Sequence, residues 1–524
     1  MSGSNRNMIV GDGLALTLPQ DQRPWYKVPH LLKLNAIILS LLMYSGTVGY
    51  DGSMMNGLQS LGQWHVFMDY PKGAWLGFIN SAASIGALLF IPLQAYTADR
   101  YGRRPCLFIG LLFIALGTGI QTGAKTRGMF VAGRFFVGVA TTWFMTAAIL
   151  ITEIAYPSHR SKVTALYNCQ FYVGSLISAW VTFGVRNLEN SWAWRVPSLL
   201  QLAIPVVAFA GTLACPESPR WLISKGRNEE ARAMLATYHA SGDANAALVI
   251  FELAEIESFI ALERQSKHST SYLDMFRTKG NRHRLFISVT LGIFSQWSGN
   301  GVVSYYLSLI LRTVGITSVT QQTLLNGFLN LWNLIMAVCA ALMVDKVGRR
   351  KLFLTSTSIM LVSYIIITAL SATFAKSGVK SVGSAVIPFL FIFFAGYDIA
   401  FTPLPVSYTA EIWTFALRAR GTAVLSSSIN IALLFNVFVN PIALGTIQWK
   451  YYITFICVLI ICLFTVYFAY PETRGHTLEE MAVVFDGKDA SILSSEEVLG
   501  KVEHSETVKR NVVSHIEGPF QEKA

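Results

Sequence analysis

The sequence predicts an all-α membrane protein with twelve transmembrane helices in two related bundles of six, and three observations lead to this. Of the 524 residues, 53% are hydrophobic and only 14% are charged, whereas soluble globular domains carry about 25% charged residues. The hydrophobic residues form runs of about 20, the length that a helix needs to cross a bilayer core. Three motifs from the first half of the chain recur in the second.

Twelve apolar runs define the predicted spans. Spans 1 to 6 lie near 32–52, 75–96, 105–123, 128–152, 164–186 and 195–215, and form an N-terminal bundle, 32–215. Spans 7 to 12 lie near 285–311, 323–345, 352–374, 384–411, 421–445 and 450–470, and form a C-terminal bundle, 285–470. The runs do not alternate apolar and polar residues as barrel strands do. The remaining segments are 1–31, a loop at 216–284 with patterns of short amphipathic helices, and a tail at 471–524.

The net charge of +11 comes from 41 basic and 30 acidic residues. Basic residues concentrate in the short loops at 99–104 and 345–351, so the positive-inside rule predicts that these loops, the central loop and both termini are cytoplasmic. The plasma membrane is the expected location. This placement in short loops argues against nucleic-acid binding.

The six cysteines have no metal-ligand spacing, and the chain contains no G-x-x-x-x-G-K-[ST] nucleotide motif and no nucleophile–base constellation. We therefore expect no enzyme activity, no metal and no cofactor. The expected partners are a solute, a coupling ion and the lipid bilayer, and we expect a monomer.

The recurring motifs occupy matching positions in the two halves. The D-R-x-G-R-R loop at 99–104 has its counterpart at 345–351, the pair Glu153 and Arg160 repeats at 411 and 418, and P-E-S-P-R at 216–220 resembles P-E-T-R at 471–474. The separations are 246, 258 and 255 positions. Repeats of this period indicate the duplication of a six-span unit.

A duplicated helical unit is typical of a transporter, because two pseudo-symmetric bundles can rock about a site at the bilayer midplane. We expect acid–Arg pairs at matching cytoplasmic ends to act as latches. Basic loops could instead only set topology, although this leaves the equal spacing of the acid–Arg pairs unexplained. The latch candidates are Asp99, Arg103, Arg104, Glu153, Arg160, Glu217, Arg220, Asp345, Arg349, Arg350, Glu411, Arg418 and Glu472.

These motifs, with Gly49-Tyr50-Asp51 in span 1 and Gly133-Arg134 in span 4, resemble those of sugar porters of the major facilitator superfamily. The resemblance covers 31–481 and implies the major facilitator fold with cytoplasmic helices. In span 7, the segment S-Q-W-S-G-N-G-V-V-S-Y-Y at 295–306 is similar to that of fungal lactose and cellodextrin permeases. This similarity implies a di- or oligosaccharide as the substrate.

A sugar is uncharged and rich in hydroxyls, so its site needs amides, hydroxyls and an aromatic surface. Eight polar residues within the spans fit this need, several at positions where the resemblance implies sugar contact. They are Asn168, Gln170, Gln296, Asn300, Tyr305, Tyr306, Asn333 and Asn430. The alternative for each amide is an interhelical hydrogen bond, and for the two tyrosines it is gating or packing.

Two aromatic residues of the family pattern are missing. Val406 and Ile431 stand where sugar porters usually have tryptophan. We expect this loss to widen the cavity, with Trp297 or Trp332 as the candidate replacement for the stacking surface.

Asp51 and Arg134 are charged residues within apolar spans, which are functional candidates by default. Burial raises the pKa of an Asp, whereas a nearby Arg lowers it. The resemblance implies that this pair couples transport to protons, with Asp51 as the proton carrier. The alternative is a permanent ion pair that fixes span 1 to span 4.

Asp398 lies in span 10, where the family usually has a neutral residue. It is a candidate second protonatable site or a contact for a substrate hydroxyl. A structural role in a wet vestibule is the alternative.

The predicted function is a proton-coupled symporter for a di- or oligosaccharide, working by alternating access. The alternatives are a passive facilitator for a hexose, pentose or polyol, an organic acid porter, and a sugar sensor that does not transport.

Overall fold

The computed structural model describes residues 24–269, 271–474 and 484–485, with the side chains of some residues in these ranges excepted. The described residues are helical at all twelve predicted span positions. The predicted latch residue Asp345 lies outside the residues whose side chains are described.

The N-terminal bundle begins with a long helix that carries the Gly-Tyr-Asp motif. Spans 1 to 5 are the helices Pro29–Leu58, Gly73–Tyr101, Arg103–Thr122, Arg127–Ile154 and Arg160–Val185. Span 6 consists of two helices, Trp192–Leu200 and Ala203–Ala214, which are interrupted at Gln201. The short helix Gly62–Met68 follows span 1.

The C-terminal bundle has two broken spans. Span 7 is Lys279–Trp297 and Asn300–Thr313, separated at Gly299, whose φ of +102° only glycine adopts readily. Span 10 is Val386–Ala400 and Leu404–Ile412, separated at Pro403. Spans 8, 9, 11 and 12 are Val319–Val347, Arg349–Ser377, Phe415–Ile447 and Tyr451–Ala469.

Length and apolar composition alone qualify nine segments of the described chain as membrane spans. Spans 11 and 12 count there as one segment, Arg420–Ala469, and spans 5 and 7 are not included. Those two spans carry many of the predicted substrate side chains, and span 7 is also broken into shorter helices. The sequence repeat is therefore a better guide to the span number than apolar length alone.

Four helices of the central loop, at Pro219–Ser224, Asn228–His239, Ala247–Ser269 and Asp274–Arg277, lie between the bundles in the chain. These helices pack on the same side of the molecule as the basic loops at 99–104 and 345–351. We call this side the basic face. Trp221 donates to the carbonyl of Asp99. His239 contacts Glu252 at 2.7 Å and the carbonyl of Ile154, at the end of span 4, at 3.1 Å.

Small residues allow the helices of the N-terminal bundle to approach closely. A Cβ at Gly174 in span 5 would lie 1.8 Å from the carbonyl oxygen of Gly46 in span 1. Glycine at such contacts is typical of membrane helices, whose association depends on close packing. Spans 1 and 5 therefore meet backbone to backbone.

The two bundles contact each other on the side opposite the basic face. Gly77 of span 2 packs against the backbone of Phe438 in span 11. The amide of Gln59 donates to the Tyr305 carbonyl at 3.0 Å, and Arg312 donates to the Gln59 carbonyl at 3.3 Å. These contacts close the molecule on this opposite face.

We expect Gly174→Ala to lower the free energy of unfolding by about 1–3 kcal/mol, because the added methyl group forces spans 1 and 5 apart. Thermal unfolding of the purified protein in detergent measures the effect. Gly184→Ala, on the same helix, is the matched control because nothing lies within 4 Å of its Cβ position. Equal melting temperatures for the two variants would contradict this packing.

Candidate functional site

A cavity of about 370 Å³ lies between the two bundles, near the middle of the spans. Five of the eight predicted substrate residues line it: Asn168, Gln296, Asn300, Tyr305 and Asn333. They come from spans 5, 7 and 8, so both bundles contribute. The structure therefore brings together side chains that are up to 165 positions apart in the chain.

The other three predicted residues do not line the cavity. Tyr306 is fully buried and donates to the carbonyl of Val437, so it packs span 7 against span 11. Asn430 donates to the carbonyl of Ser426, four residues earlier in its own helix. Gln170 is absent from the cavity wall, since it lies two positions from Asn168 and therefore about 200° away around the helix.

The prediction that Trp297 or Trp332 replaces the lost aromatic surface is wrong. Their indole N–H groups donate to the carbonyls of Ala432 and Phe391, and neither residue lines the cavity. Phenylalanine and tyrosine side chains supply the aromatic wall instead. These are Tyr167, Phe171, Tyr172, Tyr305, Phe394, Tyr397 and Phe401.

Three asparagines that the sequence analysis did not select also line the cavity: Asn56 of span 1 and Asn326 and Asn330 of span 8. Asn56 and Asn330 each donate to the side-chain oxygen of Asn326 at 3.2 Å. The spacing 326, 330, 333 is the signal that could have found them, because it places all three on one face of a helix.

Several amide atoms at the cavity have no hydrogen-bond partner among the described residues. They are Oδ1 of Asn56, Nδ2 of Asn326, Oδ1 of Asn300 and Oδ1 of Asn333. A buried polar atom without a partner costs about 1–3 kcal/mol. Hydroxyl groups of a bound molecule could satisfy both the acceptors and the donor.

The cavity opens toward the basic face. Asn168 and Met145, the latter 57% exposed, line its basic-face side, whereas Asn56 and Asn326 at its other end are 4% and 5% exposed. The contacts of Gln59 and Arg312 close the route beyond Asn56. The basic-face end of the cavity is therefore the more exposed of its two ends.

Asp51 and Arg134 form a buried ion pair beside the cavity. One guanidinium nitrogen lies 2.8 Å from Oδ1 of Asp51 and a second lies 3.4 Å from Oδ2. Gln201, at the break in span 6, donates to the same carboxylate at 3.0 Å. Gln201 completes a site that joins spans 1, 4 and 6, and no sequence pattern singled it out.

This pair retains limited access to solvent. The Asp51 side chain is 11% exposed and that of Arg134 is 4% exposed. The next residue, Gly52, lines the cavity near the ring of Tyr305. Asp51 is therefore the direct neighbour of a cavity-lining residue.

Asp398 lies behind the cavity wall and is fully buried. Its Oδ1 accepts hydrogen bonds from Tyr172 at 2.6 Å and from Thr402 at 2.8 Å. Both donors line the cavity, whereas Asp398 itself does not. The structure therefore does not place the carboxyl in direct contact with the cavity.

The predicted latch residues form two copies of one arrangement on the basic face. In the N-terminal bundle, the carboxylate of Glu217 accepts from the backbone N–H groups of Arg103 and Arg104 at 2.9 and 3.1 Å. In the C-terminal bundle, Glu472 accepts from those of Arg349 and Arg350 at 2.8 and 3.2 Å. Each carboxylate thus binds the N-terminus of a span, where unpaired N–H groups attract negative charge.

An ion pair accompanies each of these caps. Arg103 lies 3.3 Å from Glu153, and its counterpart Arg349 lies 3.1 Å from Glu411. Asp99 is largely exposed and lies 4.0 Å from Arg103. Each of these pairs joins helices of the same bundle, so in this conformation they stabilise the individual bundles. Their closing of one bundle against the other stays a prediction.

The remaining latch residues also lie on the basic face. Arg160 lies in a mixed cluster with Glu153, Glu252, Glu255 and Arg220. Arg104 donates to the carbonyls of Thr212 and Leu213. The backbone carbonyl of Arg418 accepts a hydrogen bond from the hydroxyl of Thr422.

Burial by itself raises the pKa of Glu472, but four backbone N–H groups donate to its carboxylate and hold that pKa below its ordinary value. The carboxylate therefore stays ionised at neutral pH, and the cap of span 9 persists.

Two pseudo-symmetric helical bundles around a polar central cavity are the architecture of a secondary transporter. Residues 37–485 match the model of the family described as "Sugar (and other) transporter". The chain belongs to this family, whose fold is that of the major facilitator superfamily.

Relatives of similar length share about a quarter of the sequence. The MFS-type transporter oryC of Aspergillus oryzae is 28% identical over 460 residues, which cover 86% of this chain and 84% of that protein. The sugar transporter STL1 of Saccharomyces cerevisiae is 28% identical over 451 residues, covering 83% and 78%.

Two structures of XylE show the same fold. The proton:xylose symporter XylE bound to 6-bromo-6-deoxy-D-glucose matches with a TM-score of 0.69 and 22% identity, over 87% of this chain and 99% of that chain. The inward open conformation of the xylose transporter XylE from E. coli matches with a TM-score of 0.70 and 22% identity, over 86% and 100%.

Proposed function

We propose that this protein is a proton-coupled symporter for a di- or oligosaccharide and works by alternating access. The observation that carries the proposal is an uncharged, amide-rich cavity between the bundles, with the Asp51–Arg134 pair beside it. Membership of the sugar transporter family supports the substrate class.

The cavity chemistry fits a neutral polyhydroxylated solute. None of its 24 lining residues is charged, seven carry amides and nine carry hydroxyls. A carboxylate substrate such as quinate would find no cation to offset its desolvation. A sugar, by contrast, can exchange its hydration for amide and hydroxyl partners while an aromatic wall covers its ring.

Three asparagines of span 8 form a row of amides along the cavity, and the length of this amide row favours a substrate with more than one sugar ring. Asn326, Asn330 and Asn333 follow one face of span 8 over seven residues, which corresponds to about 10 Å of helix. Gln296 and Asn300 face the same cavity from span 7. Amide groups spread over this distance suit a disaccharide better than a single ring, in agreement with the span 7 resemblance to lactose and cellodextrin permeases.

Proton coupling follows from the setting of Asp51. Arg134 and Gln201 both donate hydrogen bonds to its carboxylate, and donors of this kind compensate for a buried negative charge. In this proposal span 4 moves relative to span 1 during the transport cycle, and a proton then takes the place of the guanidinium on the carboxylate. Asp51 can thus bind a proton on one side of the membrane and release it on the other.

The distribution of basic residues favours one orientation of the protein in the membrane. We propose that the protein lies in the plasma membrane with its basic face toward the cytoplasm, as the positive-inside rule predicts, so that this conformation faces inward. The ion pair between Asp51 and Arg134 is then the arrangement expected after the proton has left for the cytoplasm.

We expect Asn333→Ala to weaken sugar binding about tenfold, because a buried amide that bonds sugar hydroxyls contributes about 1–3 kcal/mol. Binding of lactose and cellobiose to the purified protein, followed by tryptophan fluorescence, measures the effect. The matched control is Asn430→Ala, whose amide bonds only within its own helix and which should change affinity less than twofold. Equal losses in both variants would contradict the assignment of the cavity.

The amide row makes a separate prediction about substrate size. Asn330→Ala should reduce uptake of a disaccharide several-fold more than uptake of glucose, because the second ring reaches further along span 8. Competition between labelled disaccharide and unlabelled glucose in expressing cells measures the ratio. If Asn330→Ala reduced the uptake of disaccharide and of glucose by the same factor, the second ring would not lie beside Asn330.

We expect Asp51→Asn to abolish uphill sugar accumulation while sugar exchange continues, since exchange needs no net proton movement. Accumulation and counterflow in proteoliposomes under an imposed pH gradient separate the two activities. Asp69→Asn is the control, because Asp69 forms an exposed ion pair with Arg127 away from the cavity. Undiminished accumulation in Asp51→Asn would remove this residue from the coupling mechanism.

A further inference from the structure

The two buried acids of the spans have opposite surroundings. Asp51 faces a guanidinium group and an amide donor. Asp398 faces two hydroxyl groups, and both donate to the same oxygen, Oδ1. Its other oxygen, Oδ2, is buried without a hydrogen-bond partner among the described residues.

This arrangement fits a neutral carboxylic acid. A buried carboxylate normally has a cation or several donors that compensate for lost hydration. Asp398 is 0% exposed, and no Lys, Arg or His of the described residues forms an ion pair with it. A proton on Oδ2 removes the charge and leaves Oδ1 as the acceptor that the two hydroxyls require.

The described groups around Asp398 on spans 5, 8, 9 and 10 are uncharged. Span 5 contributes Tyr172 and Cys169, and the hydroxyl of Tyr397 on span 10 donates to the Ser295 carbonyl in span 7. Span 9 packs against span 10 at Gly396 through Ile359 and Met360. The hydroxyl of Ser356 in span 9 donates to the Gly396 carbonyl. From span 8, Leu334 and Ala337 join the cluster around Cys169 and Tyr172.

The hydrogen bond to Tyr172 also crosses between the bundles. Tyr172 belongs to span 5 of the N-terminal bundle, and Asp398 and Thr402 belong to span 10 of the C-terminal bundle. The Tyr172 hydroxyl lies 2.6 Å from Asp398 and 3.3 Å from Thr402. Because Tyr172 and Thr402 line the cavity, this contact also forms part of the wall that a substrate meets.

We propose that Asp398 is a second proton-binding site, and that its protonated carboxyl holds spans 5 and 10 together through Tyr172. When the spans separate, water reaches the carboxyl and the proton leaves. Reprotonation then allows the contact to re-form. The neutral acid is thus linked to the joined state of the cavity wall, and the ionised acid to the separated state.

The site has a defined part in transport, and this part rests on the proposed symport function. A sugar hydroxyl that binds Tyr172 or Thr402 competes for the donors of Asp398, so substrate binding loosens the contact between the bundles. The existence of the proton site and of the contact does not depend on the identity of the substrate. The tests therefore use the substrate-free protein.

Infrared spectroscopy of the purified full-length protein at neutral pH tests the proton site. We expect a carboxylic acid C=O stretching band that is lost in Asp398→Asn and kept in Asp51→Asn. Tyr172→Phe should shift the band to higher frequency, because the carbonyl loses a hydrogen bond. Tyr397→Phe, which removes a tyrosine hydroxyl bonded within one bundle, should leave the frequency unchanged.

A spectrum that is the same in wild type and Asp398→Asn overturns the proton site. If Asp398→Asn does not fold, an unshifted band in Tyr172→Phe overturns the contact in the same experiment. Sugar transport that fails in every variant, including wild type, would instead contradict the proposed function and leave these spectra unaffected.

Native Cys169 reports on the separation of the spans, because it is 6% exposed and packs beside Tyr172. In a protein whose exposed Cys339 and Cys457 are replaced by serine, Tyr172→Phe should raise the rate of Cys169 alkylation by N-ethylmaleimide about fivefold, the effect of losing one hydrogen bond. Tyr397→Phe should react at the parent rate. Equal rates in all three proteins would show that Tyr172 does not hold the bundles together.

Discussion

A charge that is buried between apolar helices has to be paired or neutralised, and this constraint shapes the centre of the molecule. Asp51 meets it by pairing with Arg134 and Gln201, whereas Asp398 lies among hydroxyls and apolar side chains. One conformation therefore holds two carboxyls in opposite surroundings, one beside a cation and one among hydroxyls, and proteins use such differences to give two acids separate roles. The cavity between them carries no charge, which suits a neutral solute.

The duplicated motifs on the basic face explain how each bundle can move as a unit. The carboxylates of Glu217 and Glu472 bind the N-termini of spans 3 and 9, and Gly102 and Gly348 provide the turns before them with φ of +106° and +102°. A Cβ at either glycine would lie 2.4 to 2.8 Å from the facing carboxylate oxygen. The glycines are therefore required both for the turn and for the approach of the acid, in the same way in both halves.

Duplication is the part of the fold that the sequence predicts best. Motifs that recur at a fixed period indicate twelve spans, whereas apolar length alone does not identify spans 5 and 7. The site is predicted less completely. Tyr305 lines the cavity and Tyr306 does not, since the direction of a side chain depends on helix rotation and on the irregular backbone at Tyr306. The resemblance to sugar porters selected Asn430 and not Asn326 or Asn330, although the spacing 326, 330 and 333 places three amides on one face of span 8. The hydrogen bond between Tyr172 and Asp398 depends on how the two bundles dock, which no local pattern encodes.

The central claim is that sugar and protons cross together, and the most direct test is proton movement on addition of sugar. A weakly buffered suspension of cells that express the protein is supplied with lactose or cellobiose while the external pH is recorded. The account predicts a prompt alkalinisation of the medium that accompanies sugar entry and disappears with a protonophore. Sugar entry with no change in external pH would contradict it and identify a passive facilitator.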